Sequence, residues 1–166
     1  LGEGTWRVEA DPSPAEVMAR LGHVPLPPYI RRADRPEDRE RYQTLWADRP
    51  GSAPAPTAGL HLSAHLLDAL EARGVQRAAV TLHVGLATFR PLRPSDLERG
   101  ELHEEPWEVP EATASAVAAA RSRGNRVVAV GTTTVRALES AIPPGATLPL
   151  PGAGRTRLFI RRGYRF

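Results

Sequence analysis

The 166-residue sequence has no cysteine, which excludes disulfides, thiolate nucleophiles and thiolate-bound metals. Lysine is absent too. All 22 basic residues are arginine, so neither a Schiff-base lysine nor a phosphate-loop lysine is available. No apolar run approaches the roughly 18 residues that a bilayer span requires. The first residues show no basic-then-apolar export pattern. A cytoplasmic address with no membrane association is the expectation that follows. Leu1 rather than Met opens the chain, so the true start is expected upstream.

What is present suits one domain with a sizeable core: apolar residues make up 41%, and a second full domain is not expected at this length. A net charge of +3 and a pI near 10.1 suit a polyanionic partner, although a general bias towards arginine accounts for them as well. The arginines at 155, 157, 161, 162 and 165 form a run with no acidic residue among them, the better of two candidate phosphate-binding runs. The run at 31, 32, 35, 39 and 41 is diluted by Asp34, Glu37, Asp38 and Glu40.

Thr5–Ala10 alternates like a strand but has no local partner. A helix is expected after Asp11-Pro12, through Ala15–Leu21, ended by Gly22. Pro25–Ile30 reads as a rigid linker, and Glu37–Ala47 as a helix with Tyr42, Leu45 and Trp46 on its apolar side. Ser63 is placed to cap a helix over Ala64–Arg73, with Gly74 as its stop. Val75–Val84 reads as a strand, Trp107–Val109 as a short one, and Pro110 as the start of an alanine-rich helix ending near Gly124. Arg126–Val130 reads as a buried strand leading into a helix at Thr132 or Thr133. Pro143–Gly154 reads as loop and Arg157–Ile160 as a last strand. This order implies a mixed α/β fold.

Ligands in such folds collect beyond the C-terminal ends of parallel strands. His83 and Gly85 end one expected strand, Gly131 and Thr132 the other; if the strands are parallel, the two loops share a rim. Gly131 opens a helix whose first N–H groups, beside the hydroxyls of Thr132, Thr133 and Thr134, suit a carboxylate or phosphate, with Arg136 one turn on. Ordinary capping, with Arg136 paired to Glu139, is the alternative. His83 is either a proton-transfer residue or a core histidine. Phe89-Arg90 either stacks on a purine and pairs an anion or is a core aromatic beside a surface charge. His103 and Glu105, two apart in an extended stretch, project to one side as an acid/base pair or as solvated charges. His61 and His65 have the spacing of a helix-borne zinc pair but lack the accompanying Glu. A tight turn around Gly59, between Thr57 and His61, is the other reading there.

Taken in order, Leu26-Pro27-Pro28-Tyr29-Ile30, Tyr42-Gln43-Thr44, Pro56-Thr57-Ala58-Gly59-Leu60-His61, Thr81-Leu82-His83-Val84-Gly85, Thr88-Phe89, His103 with Glu105, and Val130-Gly131-Thr132-Thr133 with Val135-Arg136 and Leu138-Glu139-Ser140 closely resemble the S-adenosylmethionine:tRNA ribosyltransferase-isomerases of queuosine biosynthesis. The resemblance implies transfer and isomerisation of the ribosyl group of S-adenosylmethionine onto 7-aminomethyl-7-deazaguanine at the wobble position of a tRNA with a GUN anticodon. Epoxyqueuosine forms, and adenine and methionine leave. S-adenosylmethionine is then a substrate, and no cofactor or metal is expected. The implied chemistry begins with proton removal beside the sulfonium, so the site needs a base and a way to protonate adenine.

Under the resemblance, acid/base roles fall to His83, or to His103 with Glu105. The resemblance assigns substrate contacts to Tyr29, Pro56, Thr57, Gly59, His61, Gly85, Thr88, Phe89, Arg90, Gly131, Thr132, Thr133 and Arg136. It also implies that residues 1–24 end a small β-barrel domain with its connecting helix. Residues 25–166 would form a large, barrel-like α/β catalytic domain, with further segments on both sides in family members. Two competing expectations remain: a fragment that binds S-adenosylmethionine or tRNA without turnover, and a metal-dependent hydrolase built on His61 and His65.

Overall fold

The computed structural model describes Glu9 and residues 11–166; the strand expected over Thr5–Ala10 lies, Glu9 apart, outside them. The elements run α1 (Pro14–Leu21), α2 (Asp38–Arg41), α3 (Ala64–Glu71), β1 (Thr81–Leu82), α4 (Pro94–Arg99), β2 (Glu101–Val109), α5 (Glu111–Ser122), α6 (Thr132–Ser140) and β3 (Gly152–Leu158), with 3₁₀ turns over Thr57–His61 and Leu86–Phe89. The described strands make one antiparallel sheet in the order β1-β2-β3, so the fold is mixed α/β with a small sheet.

Helix ends follow their local signals. Ser13 and Glu16 cap α1 reciprocally, with Glu16 N–H donating to Ser13 Oγ at 3.3 Å and Ser13 N–H to Glu16 at 2.9 Å. Ser63 Oγ accepts from Leu66 N–H at 3.3 Å to open α3. Beyond α3, Gly74 takes φ +74° and Val75 N–H returns to the Leu70 carbonyl at 3.0 Å, satisfying a helix-end acceptor. The expected helix over Glu37–Ala47 shrinks to the single turn α2. Leu45 and Trp46, which would have anchored more turns, are exposed, and only Tyr42 is buried. So short a helix depends on tertiary bonds: the Asp38 carboxylate accepts from Arg32 at 2.6 and 2.9 Å and from Arg35 N–H at 2.8 Å. Those bonds hold Asp38 well below the usual carboxylate range.

β2 is longer than the expected Trp107–Val109 because Pro106 is tolerated inside a central strand. Its carbonyl accepts from His83 N–H at 2.9 Å, so its side of the strand faces β1. Proline has no N–H to return to the His83 carbonyl, and the β1 pairing ends there, with Leu82 opposite Trp107. β3 begins at Gly152, inside the expected loop. Gly154 is paired opposite Trp107, and a Cβ on it would lie 3.1 Å from the indole. The glycine that reads as loop therefore makes room for a cross-strand aromatic. Val109, Ala114 and Ala141 form the buried core, with Val80 and Trp107 packed against it.

Two expected strands are not built among the described residues: of Val75–Val84 only Thr81–Leu82 pairs, and for Arg126–Val130 no ladder bond is recorded. Among the described residues the rim of two parallel strands therefore does not arise. Residues 126–130 still alternate: Val128 and Val130 line a cavity of about 870 Å³, Val127 and Ala129 one of about 620 Å³. Apolar alternation sets the extended shape, but a strand also needs a neighbouring backbone within hydrogen-bond reach.

Candidate active site

β2 points His103 and Glu105 to one side, as their spacing requires. Glu105 is fully buried. Its Oε1 accepts from Gly85 N–H at 3.1 Å, from the Thr88 hydroxyl at 3.5 Å and from His103 Nε2 at 2.8 Å. Its Oε2 is ion-paired with Arg136 Nη1. Burial works against the charge on Glu105, yet Arg136, the His103 bond and the Gly85 amide outweigh it and hold the carboxyl below its usual range. The His103 side chain is 30% exposed and lies against Gly85, where a Cβ would sit 3.5 Å from its ring.

Three elements build this cluster. β2 supplies the pair, the loop after β1 supplies Gly85 and Thr88, and α6 supplies Arg136. Arg136 Nε also donates to the Leu158 carbonyl of β3 at 3.0 Å. β3 is itself tied to α6, with Ser140 Oγ donating to Thr156 Oγ1 at 2.6 Å. Arg136 lies one turn into α6 as expected, but it does not pair with Glu139, which accepts from Tyr164 Oη at 2.9 Å. The reason is charge: a buried carboxylate attracts the nearest guanidinium more strongly than an exposed one does.

The larger cavity draws together parts of three separate segments. Pro56 and Gly59, His83, and Thr133 with Thr134 all line it. His83 packs over Gly51, at φ +144°, where a Cβ would lie 2.5 Å from His83 Nδ1. Gly131 approaches Ala58: a Cβ there would lie 3.5 Å from the Ala58 methyl. His83 and His103 thus occupy different surroundings, separated by Val84, whose N–H donates to Ser52 Oγ at 3.0 Å. Gly51 and Ser52 were not singled out by sequence, because they sit in an unpatterned loop.

Other candidates stand apart. Tyr29, Thr57, His61, Arg90 and Thr132 are exposed and Phe89 is half-buried; none lines the larger cavity or bonds to Glu105. His61 and His65 are both exposed, and among the described residues no group of three or more metal-ligating side chains exists. The C-terminal arginine run is not free of acids in space, because Arg155 and Arg157 of β3 pair with Glu101 and Glu104 of β2. Among the described residues no helix is long and apolar enough to cross a membrane.

A mixed α/β fold in which a buried carboxylate holds a partly exposed imidazole has the groups that proton transfer requires. The comparisons narrow that chemistry. Residues 2–166 match the model of the queuosine biosynthesis protein family, and the chain belongs to that family. It is 58% identical over 168 residues to an S-adenosylmethionine:tRNA ribosyltransferase-isomerase of Anaeromyxobacter dehalogenans, covering 99% of this chain and 48% of that protein. A protein of the same name from Gloeobacter violaceus is 54% identical over 98% of this chain and 46% of its own length. A crystal structure of an S-adenosylmethionine tRNA ribosyltransferase from Thermotoga maritima aligns with TM-score 0.48 and 41% identity, over 66% of this chain and 32% of that one. The chain spans about half the length of the curated relatives it matches.

Proposed function

We propose that this chain carries the central part of an S-adenosylmethionine:tRNA ribosyltransferase-isomerase. The reaction moves the ribosyl group of S-adenosylmethionine onto 7-aminomethyl-7-deazaguanine at the wobble position of a GUN-anticodon tRNA. It yields epoxyqueuosine-tRNA, adenine and methionine. The observation that carries the reading is identity of 58% across 99% of the chain to a relative of that name, and the geometry agrees with it. Proton removal beside a sulfonium needs a base that a substrate can reach, and His103 is half-exposed and hydrogen-bonded to an ionised carboxylate. The 870 Å³ cavity, lined by Gly59, His83 and Thr133, has room for a nucleoside. S-adenosylmethionine is consumed as substrate, with no cofactor or metal.

We read residues 1–24 as the end of a small β-barrel domain with its connecting helix, and residues 25–166 as the body of a barrel-like α/β catalytic domain. The protein works in the cytoplasm, where its tRNA partner is found. Arg162 and Arg165, for which no ion pair is recorded among the described residues, are the members of the C-terminal run most open to tRNA phosphate.

The test uses the protein at its natural length, S-adenosylmethionine and tRNA bearing 7-aminomethyl-7-deazaguanine, with adenine and the modified nucleoside followed by mass spectrometry. Stoichiometric adenine and epoxyqueuosine are expected. Ligand binding with no adenine released would replace this reading with that of a binding module. Unimpaired turnover after His83 and His103 are both changed to Ala would remove the assignment of the acid/base groups.

A further inference from the structure

The Glu105 cluster divides its labour more sharply than an acid/base pair requires. Glu105 is fully buried, and both its oxygens are engaged by protein groups, so no substrate atom reaches it. An ionised carboxylate accepts hydrogen bonds and donates none. Its 2.8 Å contact with His103 Nε2 therefore places the ring proton on Nε2 and leaves Nδ1 as the free nitrogen. Arg136 is largely committed as well: Nε donates to the Leu158 carbonyl, Nη1 to Glu105, and Nη2 is buried with no hydrogen-bond partner among the described residues.

Resting on the enzymatic reading above, we infer that His103 exchanges its proton with substrate through Nδ1, and that Glu105 and Arg136 are positioning residues that hold the ring in its Nε2–H form. Glu105 sets the tautomer and the plane of the ring. Arg136 keeps Glu105 an acceptor and ties it to α6 and to the end of β3. The Gly85 amide and Thr88 hydroxyl hold the same oxygen from the β1 side, so the carboxylate cannot swing away. The proton taken by Nδ1 makes the ring a cation with both nitrogens protonated, and Glu105 stabilises that cation without itself gaining a proton.

Two readouts test this on the natural-length protein. With histidines labelled in ¹³C and ¹⁵N, and His103 assigned by the signal missing from His103→Asn, the neutral ring is expected as Nε2–H. In Glu105→Gln the side-chain amide can donate to Nε2, and the signature is expected to move towards Nδ1–H. In turnover, Glu105→Gln is expected to lose about 10²- to 10⁴-fold in kcat, the scale seen when a ring-orienting carboxylate becomes an amide, with KM changed less than about 3-fold. Glu105→Asp, which restores an acceptor, should recover part of that loss. If Glu105→Gln does not fold, the double variant Glu105→Gln with Arg136→Met removes both charges together and carries the same expectations. An Nδ1–H ring in the unaltered protein overturns the inference, as does a Glu105 variant that keeps both tautomer and kcat. Absence of any product from the unaltered protein would instead sink the enzymatic reading, and the tautomer measurement would still decide the role of Glu105.

Discussion

The region around β2, β3 and α6 and the two extended segments at 75–80 and 126–130 are built from similar amounts of apolar sequence, yet they end in opposite states. In the first, Val109 and Glu105 are fully buried, and strand pairing, an ion pair and a hydroxyl–hydroxyl bond cross between elements. In the second, Val128 is 78% exposed. Among the described residues, the only bond recorded to the backbone of 76–80 from another element is the Thr113 hydroxyl on the Ala79 carbonyl at 2.6 Å. The contrast teaches that apolar pattern makes a segment extended, whereas specific polar contacts decide which segments lock into a structure.

Breaking the first region should cost most. Glu105→Ala leaves the Arg136 charge buried without its partner, and thermal or urea unfolding should show a loss of about 3–5 kcal/mol. Acid unfolding sharpens the same point. The folded Glu105 carboxyl lies below its unfolded value, so its stabilisation is complete above the ordinary carboxylate range and fades as pH falls through the lower, folded value. Removing both charges, with Glu105→Gln and Arg136→Met together, should flatten the acid limb of stability against pH. An unchanged limb would mean that other carboxylates, Asp38 first among them, dominate it.

Smaller effects probe the boundary between the regions. Val109→Ala should cost about 2 kcal/mol by lost burial and a residual cavity. Thr113→Val, which leaves the Ala79 carbonyl without its donor, should cost about 1 kcal/mol. Hydrogen exchange should then quicken at 76–80 and not in β3. At the far end, Val128→Thr should stay within about 0.5 kcal/mol, and the amides of 126–130 should exchange far faster than those of β2. Slow exchange at 126–130 would erase the contrast.

Much of this was legible locally and little of it at long range. Helix ends could be read from Gly22, Ser63, Gly74 and Gly124, because caps act within a turn or two. The same-side placement of His103 and Glu105 followed from the period of a strand. The partner of Arg136 did not: Glu139 is three residues away in sequence and Glu105 is 31, and only the fold shows which is near. Pro106 and Gly154 misled for the same reason. Each is unsuited to a strand in isolation and suited to this one because of what sits opposite, an ended β1 in one case and the Trp107 ring in the other.

The backbone of 126–130 has a further consequence, which concerns handling rather than catalysis. A row of amides and carbonyls for which, the Val130 carbonyl apart, no partner is recorded among the described residues is a template on which another extended peptide can add. Concentrated solutions of this chain should therefore be governed less by its +3 charge than by whether that rail is covered. A proline placed at Val128 would blunt it, and light scattering against concentration would register the difference.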